Sequence, residues 1–356
     1  MKKNILIFFL LLVLFIFVNP MLAWDDTHEK PQDFRKPDKH RIFLRGQIAG
    51  GGLKIPEIDQ EKGSARYSLA SSNGTIISLP GIGSNYNGTF ATGNLEYRYE
   101  DKIRLLYDSR KASPLGIPDF STVNYSFASG RLATFGSLNS RLKGWEESTT
   151  KMGLAYYHSF GNHLSVGVIG RKYDITQSYG RTDSGTSFGS STFFFQNSRS
   201  NYETNISGFV PGIGIEIKPT RWFEIIYTHE VVNLTGNQRG TGAALLFGTI
   251  SNSSSSATSS STAFSLLLFN LTNTNLTYKG TVQNLDFVFR YTSWFATRYG
   301  FTQERYTRKF ENYISISPLA SASSVLTNAI LYPAFTQSEV VFRNFHLTIE
   351  FSKGFN

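Results

Sequence analysis

Cysteine is absent from this chain of 356 residues, so no disulfide holds its fold. Methionine occurs only three times and charged residues make up 17% of the chain. Beyond the first two dozen residues, no apolar run is long enough for a helix to cross a bilayer. The next longest, Phe264 to Phe269, is far short of the roughly 20 residues such a helix needs. No Gly-x-x-x-x-Gly-Lys loop is present to cradle a phosphate, and the six histidines fall into no His-x-x-x-His or clustered spacing. These absences exclude a P-loop nucleotide enzyme and a clustered zinc site, and no metal, cofactor or nucleic acid is expected.

What is present is first an address. Met1-Lys2-Lys3 is basic, Ile5 to Val18 is wholly Ile, Leu, Phe and Val, and Asn19-Pro20 breaks the run before Met21-Leu22-Ala23. That order is the plan of a secretory signal peptide, expected over residues 1–23. Trp24 to His40 is polar and charged with two prolines, which predicts a periplasmic leader over 24–40. The remainder, 41–356, is rich in Phe (30), Tyr (18) and Gly (31). Aromatics favour strands and Gly favours turns. The mean hydropathy of −0.20 suits a barrel, in which only alternate residues need be apolar.

Strand-like runs come in pairs around very short turns. Thr89–Tyr99 and Ile103–Arg110 flank Glu100-Asp101-Lys102. Thr149–Phe160 and His163–Thr176 flank Gly161-Asn162. Asn205–Ile217 and Arg221–Leu234 flank Lys218-Pro219-Thr220, and Thr281–Tyr291 and Phe295–Arg308 flank Thr292-Ser293-Trp294. Arg41–Gly51 opens the set and Val340–Ser352 closes it. Ten strands of about 9–14 residues suit tilted crossings of a bilayer. A further hairpin from Ser121–Phe127 and Arg131–Leu138 would make twelve. The other connections are long: Gly52–Gly88, Lys111–Ser148, Gln177–Thr204, Thr235–Gly280 and Lys309–Glu339. They are expected as extracellular loops, with Ser251–Thr262 mobile.

The strands alternate with a period of two. Phe209, Ile213, Ile215 and Ile217 share one face while Gly208, Gly212, Gly214 and Glu216 share the other. Phe345, Leu347, Ile349 and Phe351 oppose Asn344, His346, Thr348 and Glu350. An apolar face opposed by one rich in Gly and charge fits a barrel with lipid outside and an enclosed polar axis. Tyr97, Tyr99, Phe160, Phe223, Tyr291, Phe295 and Phe351 lie near the short turns, as an interfacial girdle would. In these respects the chain resembles the bacterial outer-membrane β-barrel proteins as a class. The resemblance implies an antiparallel up-and-down barrel in the outer membrane, with lipid, lipopolysaccharide and the barrel-assembly machinery as partners.

The candidate site is the lumen lining: Glu96, Arg98, Arg104, Asp108, Glu216, Glu224, Asp286, Arg290, Arg298 and Glu350, paired between neighbouring strands. Such charges either fill a narrow lumen or line a path for small ions, and ten strands make a barrel little wider than the eight that side chains can fill. Three functions follow: a porin-like channel for small solutes; a surface-exposed adhesin or receptor with a plugged barrel and an extracellular ligand; and an outer-membrane hydrolase. Ten strands are also similar to the omptin proteases, whose site pairs Asp-x-Asp with Asp-x-His near the outer rim. This chain has no Asp-x-Asp, and Asp26-Thr27-His28 lies in the leader. His158-Ser159 and His229-Glu230 are strand neighbours, which point to opposite faces. No catalytic residue is expected.

Overall fold

The computed structural model describes residues 39–54, 74–78, 85–115, 121–129, 132–189, 192–220, 222–252, 260–316 and 338–355. The expected signal peptide, residues 24–38 of the expected leader and residues 253–259 of the serine-rich stretch lie outside the described residues. Every regular element described is a strand: β1 (His40–Lys54), β2 (Gly74–Ser78), β3 (Asn85–Tyr99), β4 (Ile103–Pro114), β5 (Ser121–Ser129), β6 (Leu132–Phe160), β7 (Leu164–Gly189), β8 (Thr192–Ile217), β9 (Phe223–Asn252), β10 (Ser260–Arg290), β11 (Phe295–Ile316) and β12 (Ser338–Phe355).

Ten of these close a ring. β1 pairs with β3, β3 with β4, β4 with β6, each strand from β6 with the next, and β12 with β1, all antiparallel. The twelve-strand alternative is excluded by the way β6 is built. Its ladder to β7 slips between Lys143 and Glu146, where Gly144 has φ 63°. On the turn side of this bulge β6 pairs with β4; beyond it, β6 pairs with β5, and the short β2 adds to β5. The extra hairpin forms, but its second arm is the far part of β6 itself, paired with β7, and only β5, with β2 on it, stays outside the ring.

The short turns gather at one end of the ring, together with the start of β1 and the end of β12, since His40 faces both Phe355 and Tyr99. In the first turn Glu100 and Asp101 both have positive φ (51° and 57°), and Lys102 N–H donates to the Tyr99 carbonyl at 3.0 Å. Two successive left-handed residues match the right-handed twist of the flanking strands, which is why such a turn holds a hairpin together.

Exposure runs opposite to that of a water-soluble protein. Ile48, Phe345, Leu347 and Ile349 face outward and are exposed, Phe345 to 70%, while Glu350 is 1% exposed. Apolar side chains gain nothing from facing water, and closing a ring leaves no unpaired strand edge at membrane depth. The exterior therefore faces lipid. Aromatic rings collect at the turn end, where Trp294 and Phe295 pack on Phe351, Phe223 packs on Phe289, and His40 stacks on Phe355.

The lengths correct the expected strands. β6 to β10 run 29, 26, 26, 30 and 31 residues, well beyond the roughly 9–11 of a tilted crossing. The described residues of Gln177–Thr204 and Thr235–Gly280 are continuous ladder, not loop. Of the other expected loops, 52–54, 85–88, 111–114, 121–129, 132–148 and 309–316 are also strand. Polar composition suggested loops there, but a strand in water needs no apolar outer face, only a paired neighbour. β10 pairs with β9 as far as Ser260↔Asn252, whereas its ladder to β11 begins only at Leu271↔Ile316.

Candidate functional site

The lumen is built in layers, because alternate residues of ten strands converge on one axis. At the turn end, odd-numbered residues of β1 point inward, which buries Phe43 completely and places Arg45 beside it. The guanidinium groups of Arg98, Arg45 and Arg290 lie 4.4, 5.1 and 6.0 Å from the Phe43 ring centre. A ring face attracts cations, so Phe43 seats these three, and Arg41 at 5.8 Å, without adding charge.

Carboxylates complete this layer. Glu350 accepts from Arg45 at 2.6 Å, from Arg290 at 2.9 Å and from Arg298. Glu96 meets Arg45 and Arg98, each at 2.5 Å. Glu216 takes both terminal nitrogens of Arg104, and Glu224 accepts from Arg290 at 2.9 Å. With Asp286, five acidic groups balance Arg45, Arg98, Arg104, Arg290 and Arg298. A buried charge left unpaired is strongly destabilising, so the network stands or falls as a unit. In the turn beneath, burial raises the carboxyl pKa of Asp101, but Arg98, Lys218 and Arg104 outweigh it and hold the group below its ordinary range.

The pairing follows the expected neighbour-to-neighbour pattern where Arg298 meets Asp286 and Glu350 and Arg290 meets Glu224, and departs from it across the lumen. Arg98 and Arg104 stand directly opposite each other on β3 and β4. Like charges so placed repel, and Arg104 instead reaches over β6 and β7 to Glu216 on β8. Asp108 likewise pairs with Arg171 on β7 at 2.5 Å, skipping β6. Contacts between strands that are not neighbours pass through the interior, which fixes the direction of these side chains. The ring of Tyr157 lies beneath Arg104, 3.7 Å from its guanidinium carbon. Gly214 makes room for that ring, since a Cβ there would stand 2.0 Å from the Tyr157 hydroxyl.

All ten sequence-derived residues point into the lumen: Glu96, Arg98, Arg104, Glu216, Glu224, Asp286, Arg298 and Glu350 are buried, and Asp108 and Arg290 are partly buried. Sequence reasoning missed Arg45, Arg110, Glu147, Lys151, Arg171, Glu230, Glu304 and His346 as site residues. Parity could have found several, because Arg110 follows Asp108 by two residues and Glu304 follows Arg298 by six.

Above the first layer lies a cavity of about 170 Å³, bordered by Gln47, Asn94, Lys151, Thr228, Thr302 and Asn344 among others. Asn94 and Asn344 have side-chain oxygens with no protein donor among the described residues. On one wall His346 Nε2 lies 2.6 Å from Asp286 and its Nδ1 lies 3.4 Å from the Thr302 hydroxyl. Thr302 donates its own proton to Asn284 at 2.6 Å. Gly300 permits this approach, as a Cβ there would stand 2.3 Å from Asp286.

A second packed layer closes the far side. Arg110 bridges Glu304 at 2.5 Å and Glu147 at 2.8 Å, and Tyr306 donates to Glu304 at 2.8 Å. Gln177 links Glu147 to Tyr278. Buried apolar groups lie beside them, with Phe90 edge-on to Phe342 and Tyr278 stacked on Tyr306, and Trp145 and Leu234 are buried in the same cluster.

The closed ring, lipid-compatible exterior and ionised interior make this chain an outer-membrane β-barrel protein. The chain matches no family model, and a search of curated proteins finds no match. Among solved structures it is similar to the outer membrane protease OmpT from Escherichia coli, at 9% identity and a TM-score of 0.39, covering 90% of this chain and 98% of that one. It is also similar to the P. putida toluene transporter TodX (8%, 0.24, covering 91% and 92%) and the Ralstonia pickettii toluene transporter TbuX (7%, 0.24, covering 92% and 94%). Likeness this distant carries no function across. The omptin acid–histidine pattern remains unmatched: a second Asp-x-His, Asp38-Lys39-His40, ends on the first residue of β1, at the turn end.

Proposed function

We propose that this protein is a closed outer-membrane barrel that anchors an extracellular β-sheet, and that the sheet binds a partner at the cell surface. The observation that carries this reading is the contrast between lumen and wall. The lumen holds two packed layers in series, the Phe43–arginine–carboxylate layer and the Phe90–Trp145–Tyr306 layer. The wall continues in β6 to β10 far past the length a crossing takes. A channel needs an open axis. Reconstitution in planar bilayers tests this: the reading expects no single-channel steps across the physiological voltage range, and steady steps would overturn it.

A porin-like channel for small solutes is the second reading. The polar cavity with its unsatisfied Asn94 and Asn344 oxygens favours it, if both packed layers move aside. A hydrolase is less well supported. Thr302, His346 and Asp286 adjoin, but the Thr302 proton is committed to Asn284, which leaves no freed nucleophile.

A further inference from the structure

Cations on the outer wall gather on one flank, at the line where lipid ends. Along β10 the outward residues leave the bilayer band at Leu285 and turn polar through Gln283, Lys279, Asn275 and Asn273. They become apolar again at Leu271, Phe269 and Leu267. On β11 the bilayer band ends at Phe301 and on β12 at Phe345, and the three end residues share one row of the ladder. Past that row the outward positions are Arg343 on β12, Gln303 and Arg305 on β11, and Gln283, Thr281 and Lys279 on β10.

Strands of a barrel tilt against its axis, so residues at one depth lie on a diagonal of the ladder. Arg343, Arg305 and Lys279 form such a diagonal. Arg343 faces Gln303, two residues before Arg305, and Arg305 faces Thr281, two residues from Lys279. Neighbours on it stand roughly 7–8 Å apart at the backbone. All three side chains are exposed. Two further cations flank them: Lys54 on β1 faces Val341, which faces Arg305, and Lys111 stands on β4 two outward positions past Tyr107.

These five cations meet one carboxylate, Glu339, which Arg305 holds at 2.5 Å and Lys54 at 3.5 Å. The ladder partners of the others are neutral: Gln303 and Gly52 beside Arg343, Thr307 and Asn233 beside Lys279, Ala91 and Ser148 beside Lys111. The other flank is balanced. Lys172 on β7 holds Asp174 at 3.1 Å, and Arg239 on β9 faces Glu203 on β8. Like charges on one diagonal repel, and an anion placed over them removes the repulsion. At the lipid boundary that anion is a headgroup.

We propose that the β10–β12 flank is a docking surface for a phosphorylated lipid of the outer leaflet. Its phosphates rest on Arg343, Arg305 and Lys279, and its chains lie against Phe345, Phe301 and Leu285. A guanidinium meets phosphate through two parallel N–H···O bonds, and Lys279 adds a point charge. The lipid is held at one place on the ring and not spread evenly around it. This surface lies outside the lumen, so it goes beyond the surface-binding reading and stands whether the lumen is sealed or open.

The full-length protein in uncharged detergent micelles is titrated with lipid A bearing two phosphates, with the same lipid after dephosphorylation, and with inorganic phosphate. Native mass spectrometry measures the lipid retained. The phosphorylated lipid should bind roughly tenfold more tightly than the dephosphorylated one. Arg343→Gln, Arg305→Gln and Lys279→Gln together should abolish that preference, while Lys172→Gln with Arg239→Gln should leave it within about twofold. Unboiled mobility in detergent electrophoresis confirms that each variant is folded. Should the triple variant not fold, Arg343→Gln alone should still lose about threefold, and the two lipids still test the unaltered protein. Equal binding of both lipids, a preference that survives the triple variant, or an equal loss in the other-flank variant would each overturn the docking surface. Saturation by inorganic phosphate alone would overturn it too, since the site would then take a free ion and not a lipid.

Discussion

Arg104 on β4 and Glu216 on β8 form a two-pronged ion pair through the lumen, with Nη2 donating to Oε2 at 2.8 Å and Nη1 to Oε1. β6 and β7 stand between these strands in the wall, so the pair ties together parts of the ring that share no ladder. Glu216→Ala leaves Arg104 short of its main counter-charge and should destabilise the barrel by about 3–5 kcal/mol. Arg104→Met combined with Glu216→Leu removes both charges and should recover most of that loss. The temperature at which folded protein loses its fast mobility in detergent electrophoresis measures both.

Tyr157 and Gly214 form the floor under this pair. Gly214→Ala drives a methyl into the Tyr157 hydroxyl and should cost about 1–3 kcal/mol. Tyr157→Phe removes the nearest atom, so the double variant should lose less than Gly214→Ala alone. Equal losses in urea unfolding would show that the ring does not feel position 214.

Two layers in series predict a non-additive conductance. Phe43→Ala opens only the turn-side layer, and Phe342→Ala with Tyr306→Ala opens only the outer one, so each should leave bilayers silent. The triple variant should conduct. Conductance from the outer-layer variant alone would mean that the turn-side layer is no seal.

The two apolar bands on β10 should respond differently to charge. Phe287→Arg puts a guanidinium into hydrocarbon and should cost about 2–4 kcal/mol in lipid vesicles. Phe269→Arg, beyond the polar stretch, should stay within about 0.5 kcal/mol.

Much of the membrane part was legible in the sequence, because lipid imposes its pattern on every strand. Phe345, Leu347 and Ile349 alternate with Asn344, Thr348 and Glu350 whatever lies around them, and the Glu100-Asp101-Lys102 turn marks where the chain reverses. The extension of the wall beyond a bilayer's thickness was not legible. In water both faces of β7 and β8 can be polar, so Gln177–Thr204 looks like a loop until the ladder is seen. The lumen charges were found by parity, and so was the facing of Asp286 and Arg298, but the pairs that cross the lumen were not. Register gives neighbours along a ladder, whereas Arg104–Glu216 and Arg110–Glu304 depend on how narrow the closed ring is.

The account depends most on where along β10 lipid ends and water begins. The chain has no native cysteine, so single substitutions report cleanly. With a membrane-impermeant maleimide on intact cells, Asn275→Cys and Lys279→Cys should label readily, Leu285→Cys and Phe287→Cys should not, and Trp294→Cys should label only after the outer membrane is permeabilised. Labelling of positions 285 and 287 as fast as 275, or of 294 on intact cells, would contradict it.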